Sequence, residues 1–296
     1  MNDHQKGLAL TTLGGLALSF DVPLVKLGQG EVWSVIALRS VMTFAACMTI
    51  WFLLRFFSKK RPVLVPGKAG VLAGLCYGIS TMTFLGAVFN TATANVVFIV
   101  AFTPMFAALF GWLVLKEVPS FSTLVTMSVM VAGVALIVAG GLEAGGLVGD
   151  GLALLTSALL ARAITIGRKS GRDMGFVPLV ATIIPALVGL VFVVQQGFAV
   201  AAPVWVIFDG AVMIPLAFWC LATGPRYLSG PEVGMFYLLE TILAPVWVWI
   251  VFSEVPAAQA LVGGAILVLA LVAHSAWQMR RRQRPQLAPV PASTSV

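Results

Sequence analysis

Ten largely apolar stretches, each about 17 to 24 residues long, follow one another along this chain, over roughly 7–25, 33–54, 69–89, 93–115, 121–141, 148–168, 175–195, 203–224, 231–252 and 257–277. A bilayer core about 30 Å thick is crossed by about 20 helical residues, so each stretch has the length to span it. With 60% hydrophobic and only 10% charged residues, the chain lacks the balance of an ordinary soluble domain. The fold class that follows is all-α: a polytopic membrane protein of ten transmembrane helices.

The basic residues fall in alternate breaks. One set holds Lys6, Arg55, Lys59, Lys60, Arg61, Lys68, Lys116, Arg168, Lys169, Arg172, Arg226, Arg280, Arg281, Arg282 and Arg284, fifteen in all, and the other holds only Lys26. The positive-inside bias then puts both termini in the cytoplasm, as an even number of spans requires. It also accounts for the net charge of +7 without nucleic acid as a partner. The first stretch reads as a span and not as a secretory signal, being long and lacking a small-residue cleavage site. Cys47, Cys76 and Cys220 lie inside apolar stretches as small hydrophobes, with no disulfide framework or metal-ligand spacing. With only His4 and His274, both expected outside the membrane interior, neither a metal nor another cofactor is expected.

A shift of 137 positions (254 − 117) lays the second half on the first without a gap over two regions. Val96 falls on Val233, Trp112 on Trp249, Val114 on Val251, Glu117-Val118-Pro119 on Glu254-Val255-Pro256 and Leu124 on Leu261. Span four thus matches nine and five matches ten. Since five spans is an odd number, the two halves have opposite orientations, the arrangement of many secondary transporters whose substrate sites lie between the repeats. The domains expected are 1–141, a first five-helix repeat; 142–278, a second; and 279–296, a disordered basic cytoplasmic tail. Gly70, Gly74 and Gly78, spaced by four on span three, are expected to admit a close neighbour.

Two five-span halves, each with a proline-bearing helix ending in an acidic residue and a turn (Pro104 to Glu117, Pro245 to Glu254), Arg39 near the start of span two, and Asn90 to Asn95 opening span four make the chain resemble the drug/metabolite transporter superfamily, specifically its EamA-type members. The likeness covers about residues 7–277. Within that superfamily the chain is most similar to bacterial aromatic amino-acid exporters. This implies outward movement of aromatic or other apolar amino acids across the inner membrane, with a small-molecule substrate and membrane lipid as partners and the chain acting as a monomer. Span seven has no basic residue corresponding to Arg39.

Charges inside a bilayer cost about 2.5 to 3.5 kcal/mol at a helix centre, so each asks for a partner, a wet cavity or a function. Five qualify: Asp21, Arg39, Arg162, Asp209 and Glu240. At about 1.5 Å per residue, Asp21, Arg39 and Asp209 fall toward the outer side, where snorkelling to the headgroups satisfies them as readily as pairing. Arg162 and Glu240 fall at inner-to-middle depth about 5 Å apart in height, close enough for a salt bridge or a shared pocket. A zwitterionic amino acid needs an acceptor for its ammonium and donors for its carboxylate, roles that suit Glu240 and Arg162. Tyr77, Phe98, Trp219 and Tyr237 are the aromatic lining candidates, and Ser80, Thr83 and Asn95 the uncharged polar ones. Pro23, Pro104 and Pro245 bend their helices and, with an Asp21–Arg39 pair, are the candidates for gating.

The function that follows is secondary export of small metabolites by alternating access through a central cavity. The alternatives of the same fold are an uncoupled facilitator and a multidrug or metabolite exporter. An intramembrane enzyme would need a nucleophile with its base, or paired ligands, that the chain lacks. No phosphate-binding glycine loop supports ATP-driven pumping.

Overall fold

The structure, a computed structural model, describes residues 3–57, 62–116, 118, 121–144, 146–223, 227 and 230–282. Inside a membrane every backbone N–H and C=O must be satisfied within the chain, and helices do this segment by segment. Accordingly, the described residues hold no strand, and one isolated antiparallel bridge joins Gly30 to Val200. The helices are α1 Asp3–Ser19, α2 Asp21–Leu27, α3 Val32–Phe57, α4 Gly67–Asn90, α5 Thr93–Val100, α6 Thr103–Phe110, α7 Phe121–Ala144, α8 Leu147–Ser170, α9 Val177–Val180, α10 Ile183–Gln196, α11 Pro203–Phe208, α12 Ile214–Thr223, α13 Gly230–Phe252 and α14 Ala258–Arg282. Two π-helical turns, Gly111–Leu115 and Asp209–Met213, extend α6 and join α11 to α12.

Eight helical stretches have the length and hydropathy to cross a membrane, from Gln5–Leu27 to Pro203–Leu221. Ten were expected; the ninth and tenth stretches are helical, but their described apolar parts, Leu239–Phe252 and Ala258–His274, are shorter. α14 also runs to Arg282, past the point where the tail was expected to begin, and residues 283–296 lie outside the described residues.

Three spans that read as single helices are broken, at Phe20, at Ala101–Phe102 and at Ala181–Thr182. Proline explains each break. Pro23, Pro104 and Pro185 follow three residues behind Phe20, Ala101 and Thr182, and a proline has no N–H to offer the carbonyl four residues earlier. The freed carbonyl of Val100 is met instead by the Thr103 hydroxyl at 2.6 Å, and that of Ala181 by the Ile184 N–H at 3.0 Å. Pro245, by contrast, lies within a continuous α13.

The long helices pack as antiparallel neighbours, α4 on α8, α7 on α14, α3 on α10 and α1 on α12, whereas α1 runs parallel to α13, with Gly15 against Phe236 and the Trp247 indole donating to Ser19 at 3.1 Å. Gly86 faces Leu152 and Gly149 faces Asn90 and Thr91, so α4 and α8 run in opposite directions. Of Gly70, Gly74 and Gly78 on α4, Gly78 is the one under the backbone of another helix segment: a Cβ there would lie 2.9 Å from the Ala181 carbonyl oxygen. The largest buried cluster, including Val22, Val35, Leu85, Val96, Ile99 and Met130, joins α2, α3, α4, α5 and α7 beside the broken segments.

Candidate functional site

A cavity of about 640 Å³ lies where the helices break. It reaches from Asp21 and Arg39 at one end to Met174 and Gly175, in the turn between α8 and α9, at the other. The latter end carries Arg168, Lys169 and Arg172 and is called the basic end below. α4 offers Tyr77, Ser80, Thr81 and Phe84, spaced i, i+3, i+4 and i+7 and so on one face, while α8 offers Thr156, Leu160 and Ile164 at intervals of four. The breaks add Ala101, Thr103, Pro104 and Thr182, and α13 adds Glu240 and Thr241.

At its inmost end two carboxylates share one guanidinium. Arg39 donates from Nη2 to both Asp21 oxygens, at 2.8 and 2.7 Å, and from Nε to Asp209 Oδ2 at 2.7 Å. The three residues are 5%, 4% and 0% exposed, so the expectation that they snorkel to the headgroups is corrected. Burial is possible because each charge has a partner at hydrogen-bond distance, which long side chains reaching separately for water would not provide. Asp209 gets there on a π-helical turn whose next residue, Gly210, lets α3 approach: a Cβ at Gly210 would lie 2.5 Å from the Arg39 carbonyl oxygen. The expected Asp21–Arg39 pair is formed, and Asp209 is a third member separated from Arg39 by 170 positions in sequence.

The cavity hydroxyls are oriented by their own helices. Ser80 and Thr81 donate to the Tyr77 carbonyl at 2.7 and 3.1 Å, Thr156 to Leu152 at 2.9 Å, Thr103 to Val100 at 2.6 Å, and Thr182 to Leu179 at 2.6 Å. Each hydroxyl has one hydrogen, so a bond to the backbone leaves it only lone pairs to turn toward the cavity.

The end opposite the basic one is tied together. The Gly30–Val200 bridge is flanked by the Glu31 N–H on the Ala199 carbonyl at 2.9 Å and the Ala202 N–H on Gly28 at 3.0 Å. Glu254 pairs with Lys26 and accepts the Thr93 N–H at 2.9 Å, linking the ends of α2 and α13 to the start of α5. Asp150, in the first turn of α8 where the helix dipole favours an anion, accepts from Thr91 at 2.8 Å and Asn95 at 3.2 Å. Asp150 was not among the intramembrane charges expected to matter; an acid in the first turn of a span was the signal available.

Of the candidates read from sequence, Tyr77, Ser80, Glu240, Asp21, Arg39 and Pro104 line the cavity together. The others go elsewhere. Asn95 is 5% exposed and bonded to Asp150, Phe98 packs against Gly264 of α14, and Thr83 shares a 2.7 Å hydrogen bond with Thr156 across α4 and α8. Trp219 is 52% exposed, on the outside of α12. Arg162 is exposed and forms no pair with Glu240; it lies two residues from Leu160, about 200° around α8, so equal height did not mean equal facing. His274, expected outside the membrane interior, is buried and bonded to Thr126 of α7 at 3.3 Å. Pro23 is buried in α2, away from the lining, and Tyr237, expected as a lining aromatic, has its side chain outside the described residues.

Residues 5–139 match the EamA-like transporter family. The EamA-like match runs from α1 into α7, and the chain is a multi-pass membrane protein of helices. A solved structure described as "Crystal structure of protein" aligns with 95% of this chain and 99% of its own, at a TM-score of 0.63 and 15% identity, a likeness of fold. No curated protein matches the chain.

The Thr83–Thr156 bond gives a first measurable expectation for the α4–α8 wall. Thr83→Val should lower unfolding stability in detergent by about 0.6 kcal/mol, the average for such interhelical bonds, because Thr156 keeps its bond to Leu152. A loss several times larger would mean that the pair anchors the wall instead of trimming it.

Proposed function

We propose that the chain is a secondary transporter that moves small amphipathic solutes across the membrane by alternating access through the cavity. The observation that carries the reading is the cavity itself, about 640 Å³ with Asp21, Arg39 and Glu240 on its surface, inside an otherwise apolar bundle. Burying such groups in a membrane protein is costly unless a path or a ligand uses them. The first half's match to a transporter family supports the same conclusion. Tyr77, Phe84 and Phe218 give the cavity aromatic surface for the apolar body of such a solute.

The two halves, 1–141 and 142–278, act in this proposal as inverted repeats. The shift of 137 carries the α4–α8 pairing onto the α12–α1 pairing, and it carries Lys116, with φ +58°, onto Ser253, with φ +56°. A left-handed non-glycine residue is uncommon, so two of them closing corresponding helices support a common ancestor for the halves. The charge asymmetry supports placing both termini in the cytoplasm, and the inner membrane and export as the direction are what the resemblance implies. The cavity's reach to the basic end, with the opposite end tied by Lys26, Glu254 and Thr93, then corresponds to a state open toward the cytoplasm.

Counterflow into liposomes holding the purified protein tests the proposal, with labelled amino acids, sugars and organic amines offered in turn. One class should accumulate above protein-free vesicles, and Ala101→Trp, which fills the cavity, should abolish the accumulation. Accumulation that ignores the plug, or none for any class, would refute the reading. Net uptake unchanged by collapsing an imposed proton gradient would identify a facilitator.

A further inference from the structure

We infer that the cavity selects a protonated amine on an apolar body, and that it disfavours a carboxylate. This rests on the transport reading and names the class of solute that the site would carry.

Two independent features point the same way. The first is the balance of fixed groups. Glu240 and Asp21 line the cavity and Asp209 stands directly behind, three carboxyl groups against one guanidinium. Among the described lining residues there is no lysine and no second arginine. Arg39 is not free to receive an anion, since Nη2 is held by both oxygens of Asp21 and Nε by Asp209. A carboxylate arriving at the remaining Nη1 meets a charge already offset twice, with Glu240 within electrostatic range of the same group. Glu240 itself has no ion pair among the described residues.

The second is the direction of the hydroxyls. Ser80, Thr81 and Thr182 donate their hydrogens to backbone carbonyls and turn acceptors to the cavity, and Thr103 and Thr156 donate likewise while each also shares a bond with a neighbouring hydroxyl, of Ser157 and Thr83. An ammonium group brings three donors and no acceptor, the complement of that surface. A carboxylate brings only acceptors and leaves the lining's lone pairs unmet, and unpaired polar groups in a closed site are what reject a wrong ligand. The Tyr77 and Thr241 hydroxyls also line the cavity, and each serves a hydroxyl or carbonyl on the solute as well as an anion. The Arg162 that would have held the carboxylate of a zwitterion is on the outside of α8.

Three compounds of one shape decide the matter: phenethylamine, phenylalanine and 3-phenylpropionate, titrated against the purified protein in detergent with binding read by calorimetry. Phenethylamine should bind at least about tenfold tighter than phenylalanine, the factor corresponding to one lost or opposed polar contact, and 3-phenylpropionate should be weakest. Glu240→Gln should erase most of that preference. Ser80→Ala, milder in its effect on folding, should weaken the amine by about threefold and leave the weak binding of 3-phenylpropionate unchanged, as loss of one acceptor predicts. Phenylalanine or the anion binding as tightly as the amine would overturn the inference, as would a preference of undiminished size in both variants. If counterflow fails for every solute while this ranking holds, the transport reading falls and the binding assignment stands. If a carboxylate is carried and the amine is not, the reverse is true.

Discussion

Replacing Arg39 with Met should destabilise the protein by about 3 to 5 kcal/mol, the range seen when one partner of a buried ion pair is removed and the other is left uncompensated. Here two carboxylates would be stranded, Asp21 at 4% and Asp209 at 0% exposure, and Asp209 Oδ1 already lacks a hydrogen-bond partner among the described residues. The measurement is the unfolding midpoint of the detergent-solubilised protein against denaturant. The informative companion is the triple variant with Asp21→Asn and Asp209→Asn added. Removing the stranded charges should recover most of the loss, since a buried network replaced as a whole is often nearly neutral whereas one broken in part is not. Asp209→Asn alone leaves Asp21 and Arg39 matched one to one and should cost much less than the loss of Arg39. An Arg39→Met midpoint equal to the wild type would mean that the three groups are hydrated and that the cluster does not hold α2, α3 and the Asp209 turn together.

How much of this was legible in the residues depends on what each pattern encodes. Length and hydropathy report whether a segment can enter a membrane, and at that level eight of the ten stretches are helical with the length and hydropathy to cross one. They do not report continuity: the stretch 7–25 is equally apolar whether it is one helix or, as here, α1 and α2 meeting at Phe20. The prolines carried that information, and Pro23 and Pro104 do mark breaks, yet Pro245 sits in an unbroken α13, so proline alone does not settle which helix gives way. For the site, spacing within one helix encodes a common face, and nothing comparable relates two helices. Tyr77, Ser80, Thr81 and Phe84 announce their face by spacing alone, whereas the residues do not say that Arg162 is exposed while Glu240 lines the cavity. Asp209 was out of reach for another reason. Its link to Arg39 spans 170 positions and depends on a π-helical turn and on Gly210, neither of which periodicity records.

The crossing of α7 and α14 yields the second large effect. A Cβ at Gly263 would lie 2.6 Å from the Gly133 carbonyl oxygen, and one at Gly133 would lie 2.9 Å from that of Gly263, so each backbone occupies the space the other's side chain would need. Without a hydrophobic force between helices in lipid, such close backbone approach is a main source of their attraction. Gly263→Val should therefore push the helices apart and cost about 2 to 3 kcal/mol, at the upper end for overpacking, because the atom in the way is backbone and cannot rotate aside. Separation would also strain the Thr126–His274 contact that joins the same two helices at 3.3 Å. Gly151 of α8 supplies the comparison: nothing lies within 4 Å of a Cβ there, so Gly151→Val should stay within about 0.5 kcal/mol of the wild type. Because α14 gives the cavity only Leu271 among the described lining residues, Gly263→Val should lower the unfolding midpoint while leaving the preference for an amine over a carboxylate unchanged in the folded fraction. Equal midpoints for the two valine variants would show that α7 and α14 are not in backbone contact at this crossing, and a lost ligand preference would tie their packing to the shape of the cavity.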